Sequence, residues 1–374
     1  MTGGPRPLSA SPSALVDVHD VALMDLDGVV YRGSQAVPHA AVTIAAARDR
    51  GMRVVYVTNN ALRPPAEVVR RLASVGVSAA VPDVVTSAQA AARVLAQRLP
   101  AGAAVLVAGG EGLREAVTAE GLRPVTTAGE QPVAVVQGFD PDLDYARLAE
   151  AALAIRAGAF WVASNVDATV PTERGLMPGN GSLVAMLRTA TGCDPMVTGK
   201  PERAMHEESV RRSGARFPLI VGDRLDTDIE SAVRSGTPSL LVLTGVACPA
   251  ELLRAQGRHR PTYLAADLRG LLACHPGVVV TVGRAQVDGV PPQGADVDGN
   301  PHCDDVVAVC GGWVAQVRDS TLTWRGARPV TWAGGTDGLD ALRAACVAAW
   351  TAADRGAPVH TVAGDRPPGC SDLD

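Results

Sequence analysis

Short apolar runs alternate with amphipathic segments along most of the chain. The run VALMDLDGVV (21–30) and the β-branched run MRVVYVTNN (52–60) flank a segment, AVTIAAARDRG (41–51), whose apolar residues recur at helical spacing. A strand, a helix and a strand in this order form a βαβ unit, with parallel strands and a right-handed crossover. The pattern therefore predicts an α/β fold with a doubly wound, Rossmann-like parallel sheet.

The same alternation is repeated in a long middle segment. Between residues 86 and 193, predicted helices and strands form a second α/β block, and after it the first pattern resumes with FPLIVGD (217–223) and PSLLVLTG (238–245). We therefore predict one domain, made of residues 20–85 and 194–272, that is interrupted by an inserted α/β domain of residues 86–193.

The two ends of the chain differ from this pattern. Residues 1–19 are rich in Gly, Pro and Ser without an apolar signal segment, so we expect a disordered leader.

The pattern in residues 275–358 predicts a small accessory α+β unit with two strands, joined by an Asp-Ser turn, and one helix. This is too little for a large core, so the unit is expected to dock on the rest of the chain or on another subunit. A remnant of a ligand-binding or acyltransferase-like module is an alternative that no cofactor loop supports. Residues 359–374 are expected to be a flexible tail.

Composition narrows the class of protein. Of the 374 residues, 47% are hydrophobic and 20% are charged, and no long apolar run is free of charge, so a globular protein without a membrane span is expected. The seven cysteines include no C-x-x-C pair, which favours reduced thiols and the cytoplasm. A net charge of −5, with 3% aromatic residues and no basic block, argues against nucleic-acid binding. The sequence leaves a homo-oligomer open.

Polar residues that can carry chemistry stand at the ends of the first two predicted strands. Asp25 and Asp27 are two residues apart, so their side chains would project together at the carboxyl edge of the sheet, where parallel sheets bind ligands. Thr58 and Asn59 end the second strand, where a hydroxyl and backbone N–H groups can hold an anion. Each pair alone also fits an ordinary polar turn.

Polar residues that can carry chemistry also stand at two later positions. Lys200 is the only lysine among 34 basic residues, which indicates a need for a compact ammonium group that the planar fork of arginine cannot replace. Asp223, Asp226 and Asp228 follow another apolar strand, where alone they also fit an acidic helix N-cap. Carboxylates that converge with Asp25 would form a hard-oxygen site suited to Mg²⁺. The spacing excludes an EF-hand, and no phosphate-binding P-loop is present.

These four motifs, in this order, resemble the haloacid dehalogenase (HAD) superfamily of phosphotransferases. More narrowly, DLDGVVYRG, VTNN, PGNGS, TGKP and GDRLDTDI are similar to the branch that contains p-nitrophenyl phosphatases, phosphoglycolate and glycerol-3-phosphate phosphatases, and NagD-like nucleotidases. In that branch a large α/β cap domain is inserted into the core, as residues 86–193 are expected to be here. The resemblance covers residues 20–272 and leaves the rest of the chain unexplained.

The resemblance implies a role for each motif. Asp25 would be the nucleophile and form an aspartyl-phosphate, and Asp27 would protonate the leaving oxygen and then activate water. Thr58, Asn59 and Lys200 would hold the phosphoryl oxygens.

The resemblance also implies a cofactor. A Mg²⁺ ion would be held by the carboxylates of Asp25 and Asp223 and the backbone carbonyl of Asp27, and Asp228 would support the metal shell.

The cap domain is expected to select the substrate. Its loops SNVD and PGNGS should face the core, with Asn165, Asp167, Asn180 and Ser182 as substrate candidates. The favoured substrate is a small phosphorylated metabolite, glycerol 3-phosphate first and 2-phosphoglycolate second. The alternatives are a phosphatase acting on nucleotides such as UMP or on pyridoxal phosphate, a phosphomutase, and a non-enzymatic phospho-aspartate switch.

Overall fold

The structure is a computed structural model, and it describes residues 8–172, 174–283, 305–326 and 337–363. The strands have the following bounds: β1 Val21–Met24, β2 Tyr31–Arg32, β3 Gln35–Ala36, β4 Arg53–Thr58, β5 Val84–Thr86, β6 Ala104–Ala108, β7 Arg123–Val125, β8 Ala134–Gln137, β9 Phe160–Ala163, β10 Thr169–Thr172, β11 Gly175–Pro178, β12 Met196–Val197, β13 Pro218–Gly222, β14 Ser239–Val242, β15 Tyr263–Ala265, β16 Val279–Val282, β17 Val306–Cys310, β18 Trp313–Arg318, β19 Thr321–Gly326 and β20 Thr361–Val362.

The α-helices have the following bounds: α1 Leu15–Val18, α2 Ala40–Asp49, α3 Pro65–Ser74, α4 Ser87–Ala96, α5 Glu111–Ala119, α6 Tyr145–Arg156, α7 Asn180–Thr191, α8 Arg203–Ser213, α9 Glu230–Ser235, α10 Pro249–Leu253 and α11 Asp340–Asp354. Short helical turns occur at Val81–Asp83, Ala128–Glu130, Gly257–His259 and Leu268–Leu272, and a π-helical turn at Leu225–Ile229. None of the helices in the described part of the chain has the length and apolar character needed to cross a membrane.

The chain divides into two compact units. Unit 1 consists of Met1–Asp20, Val37–Met52 and Leu219–Asp374, and unit 2 consists of Val21–Ala36 and Arg53–Pro218. The boundaries predicted from the sequence, with a cap at residues 86–193, stay a prediction.

Unit 2 contains three parallel strands that begin the fold. In it β4 pairs with β1 on one side and with β5 on the other. All four residues of β1 are buried, as expected for a parallel strand that is covered on both faces. The strands predicted from VALMDLDGVV and MRVVYVTNN are therefore confirmed as β1 and β4.

Unit 2 also contains a five-stranded parallel sheet in the order β12-β9-β8-β6-β7. Helices α4 and α5 pack on one face and α6 and α7 on the other, because alternate residues of each strand point to opposite faces. The predicted α/β alternation of this block is confirmed, whereas the antiparallel hairpin β10–β11 was not predicted. Trp161 is 3% exposed and packs in this core.

Unit 1 contains two sheets. Strands β13, β14 and β15 pair in parallel with β14 in the middle. Strands β16 to β20 form a second sheet in chain order, antiparallel except for the parallel pair β19–β20. The predicted turn at Asp319 and Ser320 is confirmed, and both residues have positive φ. The expectation of two strands in this region is wrong, because two valine-rich runs are also strands. They are β16, which pairs with β17, and β17, which pairs with β18.

The accessory region docks as predicted. Its helix α11 and its sheet share one hydrophobic core with α10 and β15, which includes Leu252, Leu264, Val317 and Trp350. Trp350 Nε1 donates to the carbonyl of Leu252 at 2.9 Å, so the polar group of this buried ring is also satisfied. Within unit 1, the accessory region is thus part of a common core.

Both predicted flexible ends are wrong where the structure describes them. In the leader, Leu15 and Val16 are buried, and the backbones of Ser11 and His275 exchange two hydrogen bonds of 2.9 Å. In the tail, β20 adds a strand beside β19. Composition suggested disorder, but a few apolar residues with distant partners suffice to order such segments. Residues 1–7 and 364–374 lie outside the described residues.

Candidate active site

The segment after β1 carries the two predicted catalytic carboxylates in unit 2. Leu26 is 1% exposed and anchors the segment, whereas Asp25 is partly buried and Asp27 is exposed. Gly28 has φ +88°, a conformation that favours glycine, and its N–H donates to the carbonyl of Tyr31 at 2.8 Å. This tight turn holds both carboxylates at the end of the strand.

Two residues that were not predicted for the site, Tyr31 and Arg71, lie near Asp27. Arg71 donates to the carbonyl of Gly33 and lies over the ring of Tyr31, 4.9 Å from its centroid. Tyr31 belongs to the motif DLDGVVYRG and was identifiable from it. No local signal marked Arg71, because it lies on α3, far from the motif in sequence.

The surroundings change the ionisation of these groups. Although Asp27 as a whole residue is exposed, protein atoms around its carboxyl group partly bury that group and raise its pKa, and the charge of Arg71 and the N–H groups of Gly33 and Gly28 only partly oppose this effect. Burial, with the charges of Asp25 and Asp27, raises the pKa of Tyr31 to about 12. Asp27 therefore keeps a proton more readily than an ordinary aspartate, and Tyr31 is a neutral phenol at neutral pH.

Lys200 reaches the predicted nucleophile. Its Nζ contacts Oδ1 of Asp25 and donates to the carbonyl of Val57 at 3.3 Å. The side chains of Lys200 and Asp25 are 7% and 13% exposed, so the ion pair is largely removed from water. The single lysine of the chain thus lies where the sequence predicted a point charge.

Asn59 holds the backbone of Lys200. Its Oδ1 accepts from the Lys200 N–H at 2.8 Å, and its Nδ2 donates to the Lys200 carbonyl at 3.1 Å. The side chain of Asn59 is therefore engaged with protein, which leaves its backbone N–H for the predicted phosphate contact. The hydroxyl of Thr58 accepts from the N–H of Asn60 at 3.1 Å and keeps its own proton to donate.

The predicted cap loops lie against this motif. Asn165 Nδ2 donates to the carbonyl of Asn59 at 2.7 Å, and the Asp167 carboxylate accepts from Asn59 Nδ2 at 3.3 Å. Asn180 Nδ2 donates to the carbonyl of Asn165 at 2.7 Å. The amides of Asn165 and Asn180 therefore bind protein groups, and contact of these residues with substrate stays a prediction.

The PGNGS loop packs closely on the SNVD loop because it contains glycines. A Cβ on Gly179 would lie 2.3 Å from the carbonyl oxygen of Asp167, and one on Gly181 would lie 2.2 Å from that of Val166. The Ser182 hydroxyl, which is exposed, donates to the carbonyl of Ala168 at 2.8 Å.

Unit 1 holds the predicted metal carboxylate Asp223 directly after β13. Asp223 is fully buried, and its Oδ2 accepts from the N–H of Val246 at 2.7 Å. A Cβ on Gly245 would lie 1.8 Å from the same oxygen, so this loop fits closely around the carboxylate.

Two more carboxylates follow on the π-helical turn of unit 1. Asp228 is 1% exposed and its Oδ2 accepts from the N–H of Arg224 at 3.2 Å, whereas Asp226 is exposed and pairs with the Arg224 guanidinium. Burying carboxylates such as Asp223 and Asp228 is costly unless a cation compensates them, and hard oxygens are the ligands that Mg²⁺ prefers. The donor set therefore fits the predicted Mg²⁺ ion.

Comparison with known families agrees with these motifs. Residues 22–123 match the haloacid dehalogenase-like hydrolase family, residues 197–271 match a HAD-hydrolase-like family, and residues 310–367 match a GCN5-related N-acetyltransferase like domain. The last match favours the acyltransferase-like interpretation of the accessory region.

The chain belongs to the haloacid dehalogenase-like hydrolase family. It is 49% identical over 304 residues to the D-glycerol 3-phosphate phosphatase of Mycobacterium tuberculosis, covering 79% of this chain and 85% of that protein. It is 40% identical over 226 residues to the 5'-nucleotidase YutF of Bacillus subtilis, covering 60% of this chain and 87% of that protein.

A solved structure is similar over nearly the whole chain. The glycerol phosphate phosphatase of M. tuberculosis in complex with magnesium is 43% identical, with a TM-score of 0.77 over 94% of this chain and 96% of that one. The predicted fold class and hydrolase class are therefore confirmed, including an inserted α/β cap and a C-terminal extension.

Proposed function

We propose that this protein is a Mg²⁺-dependent phosphomonoesterase that hydrolyses glycerol 3-phosphate through an aspartyl-phosphate on Asp25. The contact between Lys200 and the Asp25 carboxylate, at the end of a buried parallel strand, is the observation that carries the proposal. A cation at a carboxylate is the arrangement needed where an anionic phosphoryl group must approach an anionic nucleophile.

The reaction has two displacements. The Asp25 carboxylate attacks phosphorus, the ester P–O bond breaks, and Asp27 gives its proton to the leaving oxygen. Asp27 then takes a proton from a water molecule that attacks the phosphorus of the acyl phosphate, which releases inorganic phosphate and regenerates Asp25. The raised pKa of Asp27 suits the first of these steps. The Thr58 hydroxyl, the backbone N–H of Asn59 and the ammonium of Lys200 donate to the phosphoryl oxygens.

The proposed metal ligands are the carboxylates of Asp25 and Asp223 and the backbone carbonyl of Asp27, with Asp228 supporting them. The chemistry of these oxygens and the magnesium complex of the M. tuberculosis relative support this assignment. When bound, Mg²⁺ would neutralise negative charge on the phosphoryl group.

The substrate is proposed from the relatives and the cap. Glycerol 3-phosphate is preferred because the relative at 49% identity is named as its phosphatase, and 2-phosphoglycolate is the second choice. The similarity to a 5'-nucleotidase keeps a nucleotide as an alternative. The proposal includes action in the cytoplasm on a small metabolite, without nucleic-acid or membrane partners, and is compatible with a homo-oligomer.

A screen of phosphate esters tests the proposal. Free phosphate is measured with malachite green for glycerol 3-phosphate, 2-phosphoglycolate, UMP and pyridoxal phosphate, and the esters are ranked by kcat/KM. Glycerol 3-phosphate should have the highest value. A clear preference for UMP or pyridoxal phosphate would replace the substrate and keep the chemistry. Phosphate that moves between carbons without release would indicate a phosphomutase, and phosphorylation of Asp25 without turnover would indicate a switch.

A further inference from the structure

Asparagines form a connected path through the active site of unit 2. The chain has only five asparagines, and Asn180, Asn165 and Asn59 are linked in that order by side-chain to backbone hydrogen bonds. The path ends at Lys200, whose backbone N–H and carbonyl both bond to the Asn59 side chain. It therefore joins the start of α7 in the cap to the ammonium group beside Asp25.

In the middle of this path, both the donor and the acceptor of the Asn165 side chain are bonded to protein groups. Asn165 Nδ2 donates to Asn59, and Asn165 Oδ1 accepts from the N–H of Asp167 at 3.2 Å. Asn165 and Asn180 are 4% and 1% exposed. Buried amides whose bonds run to backbone atoms fix the course of the chain, and they are poorly placed to select among leaving groups.

The Asn59 carbonyl is a junction in this path. Besides the bond from Asn165, it accepts from the hydroxyl of Ser87 at 2.6 Å, and the Asp167 carboxylate orients Asn59 Nδ2 toward the Lys200 carbonyl. An added Cβ on Gly199 would lie 2.7 Å from Asn59 Oδ1, so the amide packs directly on the chain that leads to Lys200.

We propose that Asn165 and Asn59 are positioning residues that place the Lys200 ammonium on the phosphoryl group, so that the cap loop acts on the transferred phosphate rather than on the leaving group. This inference rests on the proposed phosphatase function and deepens it. Asn180 extends the same path by holding the backbone of Asn165.

The experiment distinguishes an effect on the phosphoryl group of the substrate from an effect on its leaving group. The kcat and KM of Asn165→Ala and Asn59→Ala are measured with glycerol 3-phosphate, 2-phosphoglycolate and p-nitrophenyl phosphate, which share the phosphoryl group and differ in the leaving group. Inhibition by inorganic phosphate is measured for each variant. Thr189→Ala is the matched control, because it removes an exposed side-chain hydrogen bond on α7 outside the path.

Asn165→Ala loses the bond to the Asn59 carbonyl and the bond from the Asp167 N–H, neither of which touches Lys200 itself, and should lower kcat/KM by about 3- to 10-fold, by the same factor for all three esters. Asn59→Ala loses both bonds to the backbone of Lys200 itself, so its uniform loss should be larger, about 10- to 100-fold. The Ki of inorganic phosphate should rise in both variants, whereas Thr189→Ala should match the wild type. A smaller folded fraction would lower kcat uniformly but would not move Ki.

A loss confined to one ester, or an unchanged Ki, would overturn the inference. If Asn165→Ala does not fold, Asn165→Asp keeps the side-chain shape while removing the donor to Asn59, and the same pattern is expected of it. A wild-type protein that hydrolyses none of the three esters would instead refute the proposed function.

Discussion

The ammonium group of Lys200 contacts a carboxylate oxygen of Asp25, and only 7% and 13% of these two side chains are exposed. The two residues are far apart in sequence and meet because Lys200 follows the cap and returns to the end of β4, where it also bonds to Val57. In a chain with a single lysine, this contact explains why arginine was not used here.

Replacing Lys200 by arginine should damage catalysis although the charge is kept. The bulkier guanidinium cannot occupy the buried position of the ammonium, so Lys200→Arg should lower kcat by about 10²- to 10³-fold. Steady-state kinetics with glycerol 3-phosphate, together with a melting curve to verify folding, measure this effect. A near wild-type kcat would show that a positive charge of any shape suffices.

Asp25→Asn should keep the shape of the site and remove the nucleophile. We expect kcat to fall by at least about 10³-fold, because the amide cannot form the acyl phosphate. Asp226→Asn is the control, since Asp226 is exposed and its salt bridge runs to its neighbour Arg224. Phosphate release by Asp25→Asn at the rate of the control would contradict covalent catalysis.

Removal of divalent metal should abolish hydrolysis. After EDTA treatment and dialysis, activity should return with Mg²⁺, whereas Ca²⁺ should bind without supporting turnover because its looser coordination would misplace nucleophile and phosphate. Malachite-green assays across a metal titration measure both effects. Undiminished hydrolysis in EDTA would rule out the proposed role of the carboxylates.

Trp350 should couple the accessory region to the stability of unit 1. It is 2% exposed, bonds to Leu252, and its ring lies 5.4 Å from the Arg260 guanidinium. Trp350→Ala should cost about 3–5 kcal/mol of unfolding free energy.

In Trp350→Ala, the melting temperature measured by calorimetry and the temperature of half-inactivation should therefore fall together, while kcat at low temperature is retained. The exposed Tyr145, changed to alanine, serves as control. Melting of the accessory region alone, with thermal inactivation unchanged, would show that the common core does not support the enzyme.

Glu208 should make the stability of unit 2 depend on pH. Burial by itself would raise its pKa, but hydrogen bonds and charges from Arg211 and Arg212 outweigh burial and lower the pKa below the ordinary 4.5. A carboxylate whose pKa is lowered by folding stabilises the protein above its unfolded pKa, and this stabilisation is lost as the pH falls through the folded pKa.

Glu208→Gln should therefore be less stable than the wild type at pH 7, by about 1–3 kcal/mol, and the difference should shrink in acid below the ordinary pKa. Thermal melting across this pH range measures it. Glu67→Gln, at an exposed ion pair, should change little at any pH. A difference that grows on acidification would contradict the assignment.

Local patterns were sufficient for the fold class. The apolar runs that became β1 and β4 are buried on both faces, and the helices around the cap sheet follow from their spacing of apolar residues. The same reasoning failed for residues 8–19 and for β16 and β17. Their order depends on partners elsewhere in the chain, such as His275 for Ser11, and no local pattern encodes such a partner.

For the site, the sequence by itself determined which residues carry chemistry. Asp25, Asp27, Thr58 and Lys200 stand at strand ends or helix entrances, and their types limit what they can do. Only the tertiary structure decided which side chains touch. The bonds from Asn165 to Asn59 and from Asn59 to Lys200 join segments more than 100 residues apart. Periodicity describes the faces of single elements, whereas such contacts depend on how the whole chain packs, and this is why the positioning of Lys200 could not be predicted.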